Sequence, residues 1–135
     1  MFAADRAAKA AAVRFLSSVP TVPVLPGIFH LTLVRNTGVA FGLLRGHGLL
    51  VTGVTLVLLG WLTASAWKRG HLQDRKVPIG LGLIAGGAAG NLLDRVRFGA
   101  VIDFLDFRVW PVFNLADSCI TIGALLMAWV LWRQR

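Results

Sequence analysis

The stretch LLVTGVTLVLLGWLTASAW, Leu49 to Trp67, carries no charged side chain and ends directly against Lys68 and Arg69. Wound as a helix at about 1.5 Å per residue it covers about 29 Å, the thickness of a bilayer's hydrocarbon core. It reads as a transmembrane helix, and that reading sets the class of the whole chain. Two further spans follow. VPIGLGLIAGGAAGNLL, Val77 to Leu93, is Gly-rich and free of charge, with Pro78 near the first turn, where a missing N–H is tolerated. ADSCITIGALLMAWVLW, Ala116 to Trp132, has its only charge, Asp117, at its start and is closed by Arg133 and Arg135.

Composition agrees. Of 135 residues 56% are hydrophobic and 15% charged, against about 45–50% and 25% in soluble domains. The net charge of +8, from 14 Lys+Arg and 6 Asp+Glu, does not indicate nucleic-acid binding, because that needs a water-facing basic surface and the long charge-free runs remove one. Cys119 allows no internal disulfide and sits in an apolar run, so no metal site follows from it. His30 and His47 are isolated and read as structural.

Lys68, Arg69, Arg75 and Lys76 crowd the loop between the first two spans, and the C-terminal tail is basic. The positive-inside bias places both in the cytoplasm, with Trp67 and Trp132 as an interfacial belt and Trp110 marking the other face. Met1 to Val19 is Ala-rich and helix-favouring, but Asp5, Arg6, Lys9 and Arg14 prevent it from spanning; it is expected to be a first span lacking its N-terminal part, with an amphipathic surface helix or a transit peptide as alternatives. Residues 20–48 are expected to form an extracytoplasmic strand-and-turn region. Pro20, Pro23 and Pro26 keep the chain extended, Ile28 to Arg35 alternates loosely as a strand, and Asn36-Thr37-Gly38 is a turn. The expected whole is a mainly α, multi-pass membrane protein of one domain, residues 1–135, with a small β element.

The acids locate the chemistry. All six are Asp, and four lie between Asp94 and Asp117. An Asp at membrane depth costs about 2.5–3.5 kcal/mol on insertion scales and is a functional candidate by default. Asp94 closes the second span and Asp117 opens the third, at one membrane face, and GAVIDFLDF adds Asp103 and Asp106 among apolar neighbours that raise a carboxyl pKa. Two such carboxylates share a proton, as in aspartic proteases: one acts as general base on water while the other polarises the scissile carbonyl. Asp94 has Arg95 and Arg97 beside it and Asp106 has Arg108, so these two read as ion-paired. Asp103 and Asp117 have no basic residue within four positions and are the better catalytic candidates. Asn36, Asn91 and Asn114 offer amides that could hold a peptide backbone, although a lone Asn is ordinarily a cap or turn residue. Gly82, Gly86 and Gly90 form overlapping GxxxG patterns, a device for close helix packing. Phosphate-loop, zinc-helix and serine-nucleophile motifs do not occur.

Four ordered blocks, NTGVAF (Asn36–Phe41), GGAAGNLLDR (Gly86–Arg95), GAVIDF (Gly99–Phe104) and FNLADS (Phe113–Ser118), resemble the signature of bacterial lipoprotein signal peptidases, or signal peptidase II. The resemblance implies a four-helix bundle of the inner membrane and an aspartic endopeptidase that needs no metal or cofactor. Its substrates would be diacylglyceryl-modified prolipoproteins, cut just before the lipidated cysteine. It places the catalytic dyad on Asp103 and Asp117, with Asn36, Gly38, Asn91, Asp94, Arg95 and Asn114 supporting the site or touching substrate. Asp5 and Lys9 resemble the family's Asp-x-x-Lys pattern at the outer end of the first helix. It further implies a monomer in the bilayer, with the active site on the extracytoplasmic side and the C-terminus cytoplasmic. The competing reading is a small proton-coupled transporter subunit, in which Asp94 and Asp117 relay protons; a third is a structural membrane partner without activity, using only the Gly face of the second span.

Overall fold

The computed structural model describes residues 1–38 and 48–133. Among these residues four α-helices and three strands follow in the order α1 (Phe2–Leu16), β1 (Thr21–Leu25), β2 (Phe29–Asn36), α2 (Gly48–Lys68), α3 (Lys76–Phe98), β3 (Val101–Asp106) and α4 (Leu115–Arg133), with a short 3-10 turn, His71–Gln73, between α2 and α3. The helices α2, α3 and α4 are long and apolar enough to cross a bilayer, so the expected mainly α membrane fold holds. The Val39–Phe41 part of the NTGVAF block and His47 lie outside the described residues.

One boundary differs clearly from expectation. The second span does not stop at Leu93: α3 runs on through Asp94 and Arg95 and ends at Gly99, whose φ of 69° allows its N–H to close on the Arg95 carbonyl at 3.0 Å. A left-handed residue of this kind is how helices commonly stop. The charges after Leu93 are accommodated because Asp94 is fully buried among ion-pair partners while Arg97 is exposed. At the other end Lys76 and Val77 donate to Asp74, at 2.9 Å each, and Pro78 stands in the first turn as expected.

The expected β element is larger than one strand. β1, β2 and β3 form an antiparallel sheet in that order. The third strand, Val101–Asp106, lies within GAVIDFLDF. It joins β2 across the whole of α2 and α3, setting Val34 opposite Asp103 and Asn36 opposite Val101. Its last residue, Asp106, accepts hydrogen bonds from Thr32 Oγ1 (2.8 Å), the Arg108 N–H (2.8 Å) and the Arg108 guanidinium (3.3 Å). Burial pushes its carboxyl pKa up, but these donors outweigh that and hold it below the usual range. The expected Arg108 partnership is thus present.

Along α3 the buried residues Val77, Gly80, Ile84, Gly87, Asn91 and Asp94 recur at alternating three- and four-residue spacing, one face of a helix. The face is apolar at one end, where Val77 and Ile84 pack with Leu62, Ala66, Met127 and Val130. It narrows to small residues and becomes polar at the other end. Near that polar end Ala12 and Leu16 of α1 pack on Phe104 of β3.

Glycine makes these approaches possible, though not as the GxxxG reading had it. A Cβ on Gly82 would meet nothing within 4 Å, so Gly82 is no packing site. Gly86 and Gly90 receive α1, where a Cβ on Gly90 would stand 2.4 Å from Asp5 Oδ2. The α3–α4 seam uses Gly80, Gly87 and Gly123, and a Cβ on Gly123 would stand 2.6 Å from the Gly80 carbonyl oxygen and 2.8 Å from Ile84. Gly123→Ala is expected to destabilise by about 1–3 kcal/mol through overpacking, whereas Gly82→Ala gains up to about 1 kcal/mol of helix propensity. Thermal unfolding in detergent distinguishes the two.

Candidate active site

Asp103 lies on β3 and Asp117 in the first turn of α4. Both are tied into one amide network. Asn114, immediately before α4, accepts the Asp117 N–H on its side-chain oxygen at 2.9 Å, and Asp117 Oδ2 accepts the Asn114 N–H at 3.3 Å. This reciprocal cap closes the start of the helix. With its oxygen so engaged, Asn114 must turn its NH2 inward, and it donates to Asp103 Oδ1 at 2.7 Å and to Asn91 Oδ1 at 3.2 Å. Asn91 Oδ1 also accepts from Lys9 Nζ at 2.9 Å, which leaves its NH2 for Asp117 Oδ1 at 2.8 Å. Asn36 is fixed likewise: its oxygen accepts the Gly38 N–H and its NH2 donates to Asp103 Oδ2, both at 2.9 Å. The last contact is a diagonal cross-strand pair on one face of the sheet.

Every carboxylate oxygen of the two acids therefore holds one donor and keeps a second lone pair. No ion pair among the described residues includes either acid. For Asp103 burial pushes the pKa up and the nearby Asp117 charge pushes it further, while the bonds from Asn36 and Asn114 and the charge of Lys9 oppose; it settles at about 7. Burial and the neighbouring carboxylate thus favour the protonated form of Asp103.

Asp94 was expected to pair with Arg95 or Arg97. It pairs instead with Arg6, through the guanidinium to Oδ1, and with Lys9, from Nζ to Oδ2 at 2.8 Å, and Oδ2 also accepts the Ile102 N–H at 3.2 Å. Arg95, one residue on, points about 100° away around the helix, and Arg97, a turn on, is exposed while Asp94 is buried. Lys9, itself buried, meets Asp5 at 3.0 Å. Asp5 Oδ1 in turn accepts the Ala116 N–H at 3.0 Å, one of the free donors at the start of α4. Arg6 had not been singled out, and the only hint was its place in DRAAK. Arg95 leaves this group and donates to Thr52 of α2 at 3.3 Å.

The two acids open on a cavity of about 340 Å³ lined also by Asn36, Gly38, Asn91 and Arg95, with α2 and the Trp110–Phe113 segment as walls. A second, apolar hollow of about 440 Å³ bounded by Phe107, Trp110, Phe113 and Ile122 also reaches Asp117. Among the described residues no group of three or more His, Cys, Asp and Glu could hold a metal ion. The arrangement can bind a water between two carboxylates that share one proton, the requirement for hydrolysing a peptide bond by general acid–base catalysis.

A family model described as signal peptidase (SPase) II matches residues 1–133. The lipoprotein signal peptidase of Pelotomaculum thermopropionicum is 47% identical over 129 residues, 94% of this chain and 83% of that one. That of Halothermothrix orenii is 50% identical over 115 residues, 84% and 77% of the two chains. A bacterial membrane enzyme solved by the in meso method at 2.3 Å resolution superposes with a TM-score of 0.78 at 28% identity, covering 98% of this chain and 82% of that one.

Proposed function

The chain belongs to the signal peptidase II family, and on that premise we propose that it removes signal peptides from lipid-modified prolipoproteins with Asp103 and Asp117 as its catalytic pair. The observation that carries the assignment is the pair of carboxylates with no ion-pair partner among the described residues, fixed by three asparagines and facing one cavity. A water between them gives a proton to the charged carboxylate and attacks the carbonyl before the lipidated cysteine, while the protonated partner polarises the carbonyl oxygen. Collapse of the tetrahedral intermediate breaks the C–N bond as a proton passes to the leaving amine. Asn36, Asn91 and Asn114 act as positioning residues. Gly38 and Arg95 line the cavity where substrate backbone would lie, and Asp5, Lys9 and Asp94 anchor the start of α4. The apolar hollow beside Asp117 suits acyl chains. The enzyme acts as a monomer in the inner membrane, with the acids outside and the Lys68–Lys76 loop and C-terminus in the cytoplasm, following the positive-inside bias.

A transporter relaying protons through Asp94 and Asp117 fits less well, since Asp94 is held by Arg6, Lys9 and the Ile102 N–H.

The pH–rate profile tests the reading. The pair needs one proton, and Asp103 loses it as pH rises through about 7, so kcat/KM is expected to fall on the alkaline side of neutrality. Asn36 favours the charged form of Asp103; Asn36→Ala therefore raises the Asp103 pKa and moves the alkaline limb to higher pH, with a lower rate throughout. A profile flat through neutrality, or a limb that Asn36→Ala leaves in place, contradicts the assignment.

A further inference from the structure

At the end of the bundle away from the acids, a groove of about 370 Å³ lies between α2 and α4. Trp61 and Ser65 of α2 and Arg69 just past its end line one wall, and Ala128 and Trp132 of α4 the other. Trp61, Ser65 and Arg69 follow at four-residue spacing, so they form one column along the helix and its last turn, about 6 Å per step. Arg69 stays in register because its N–H donates to the Ser65 carbonyl at 3.2 Å. Read inward from the membrane surface, the column presents a guanidinium, a hydroxyl and an indole. Ala128 leaves the opposite wall open, and Trp132 borders the groove near its charged end.

The surrounding charges leave Arg69 available. Asp74 pairs with Lys76 at 3.6 Å, and Lys76 and Arg133 stand 5.6 Å and 5.4 Å from the Trp129 ring centre. Arg69 is exposed and belongs to no ion pair among the described residues. Among the described residues no carboxylate lines the groove.

We propose that this groove binds one anionic glycerophospholipid, with its phosphate on Arg69, its ester region at Ser65 and an acyl chain against Trp61 and Ala128. The order of polar, hydrogen-bonding and apolar groups with depth matches that of the lipid. A basic pocket between transmembrane helices is a recognised way of holding such headgroups. With no acid present to attract a choline or amine, the site favours a net negative headgroup. It depends on the membrane-spanning fold and not on peptidase activity, so Asp103→Asn leaves it intact.

The test uses the purified full chain in micelles containing equal dioleoylphosphatidylglycerol and dioleoylphosphatidylcholine, with retained lipid counted by native mass spectrometry. Phosphatidylglycerol is expected to be retained preferentially. Arg69→Gln should lower its retention about fivefold, the effect of one cation at an anionic surface, and Trp132→Ala should lower it as well. Arg75→Gln, in the same basic loop but outside the groove, should leave it unchanged. Equal retention of the two lipids by the unmodified chain, or equal loss in Arg75→Gln and Arg69→Gln, overturns the proposal. So does displacement of the lipid by excess inorganic phosphate, which would assign Arg69 to a free anion.

Discussion

Asp103→Asn and Asp117→Asn are each expected to lower cleavage of a diacylglyceryl-modified prolipoprotein by about 10³-fold, within the range for losing a positioned general acid or base. Either amide removes the shared proton's acceptor or donor while keeping the side chain's size. The double variant should be little worse than the singles, because residues that act as a unit are not additive. Far-UV circular dichroism and detergent gel filtration should match the unmodified protein for all three. A single variant that retains more than about a tenth of the activity takes its residue out of the pair.

Lys9→Met is expected to have the largest effect on stability. Lys9 is fully buried and holds Asp5 at 3.0 Å, Asp94 at 2.8 Å and Asn91 at 2.9 Å. Removing it leaves two buried carboxylates without their common cation, a loss of about 3–5 kcal/mol for breaking a buried pair. It also takes away the shorter of the two donors on Asn91 Oδ1, leaving Asn114 to orient the amide that presents its NH2 to Asp117. Arg6→Met should cost less, since the Arg6 side chain is 23% exposed and Lys9 still holds Asp94. Thermal unfolding checks the order. A Lys9→Met protein as stable as the unmodified one would mean that this cation does not hold the two acids in the fold.

The spans were legible because a bilayer imposes a length and an absence of charge that a single sequence displays directly. Asp103 and Asp117 were legible as acids without a basic neighbour, and among the described residues neither joins an ion pair. The third strand was hidden because nearly all of Val101–Asp106 is buried; with both faces covered, the alternation that marks a strand is lost. The partners of Asp94 were missed for a different reason. Arg6 lies 88 positions away, and only the docking of α1 on Gly86 and Gly90 brings it near. Proximity along the chain is a poor guide to ion pairs once helices pack. The glycine pattern shows the same limit: small residues announce close packing, yet whether Gly82 or Gly80 faces a neighbour depends on rotations that spacing alone leaves open.

The most direct test is the intact mass of the products formed when the purified chain meets a lipid-modified prolipoprotein. A single cut is predicted, leaving diacylglyceryl-cysteine as the new N-terminal residue, and no such product from the Asp103→Asn/Asp117→Asn double variant. A cut elsewhere, or the same product from the double variant at a comparable rate, would contradict the account.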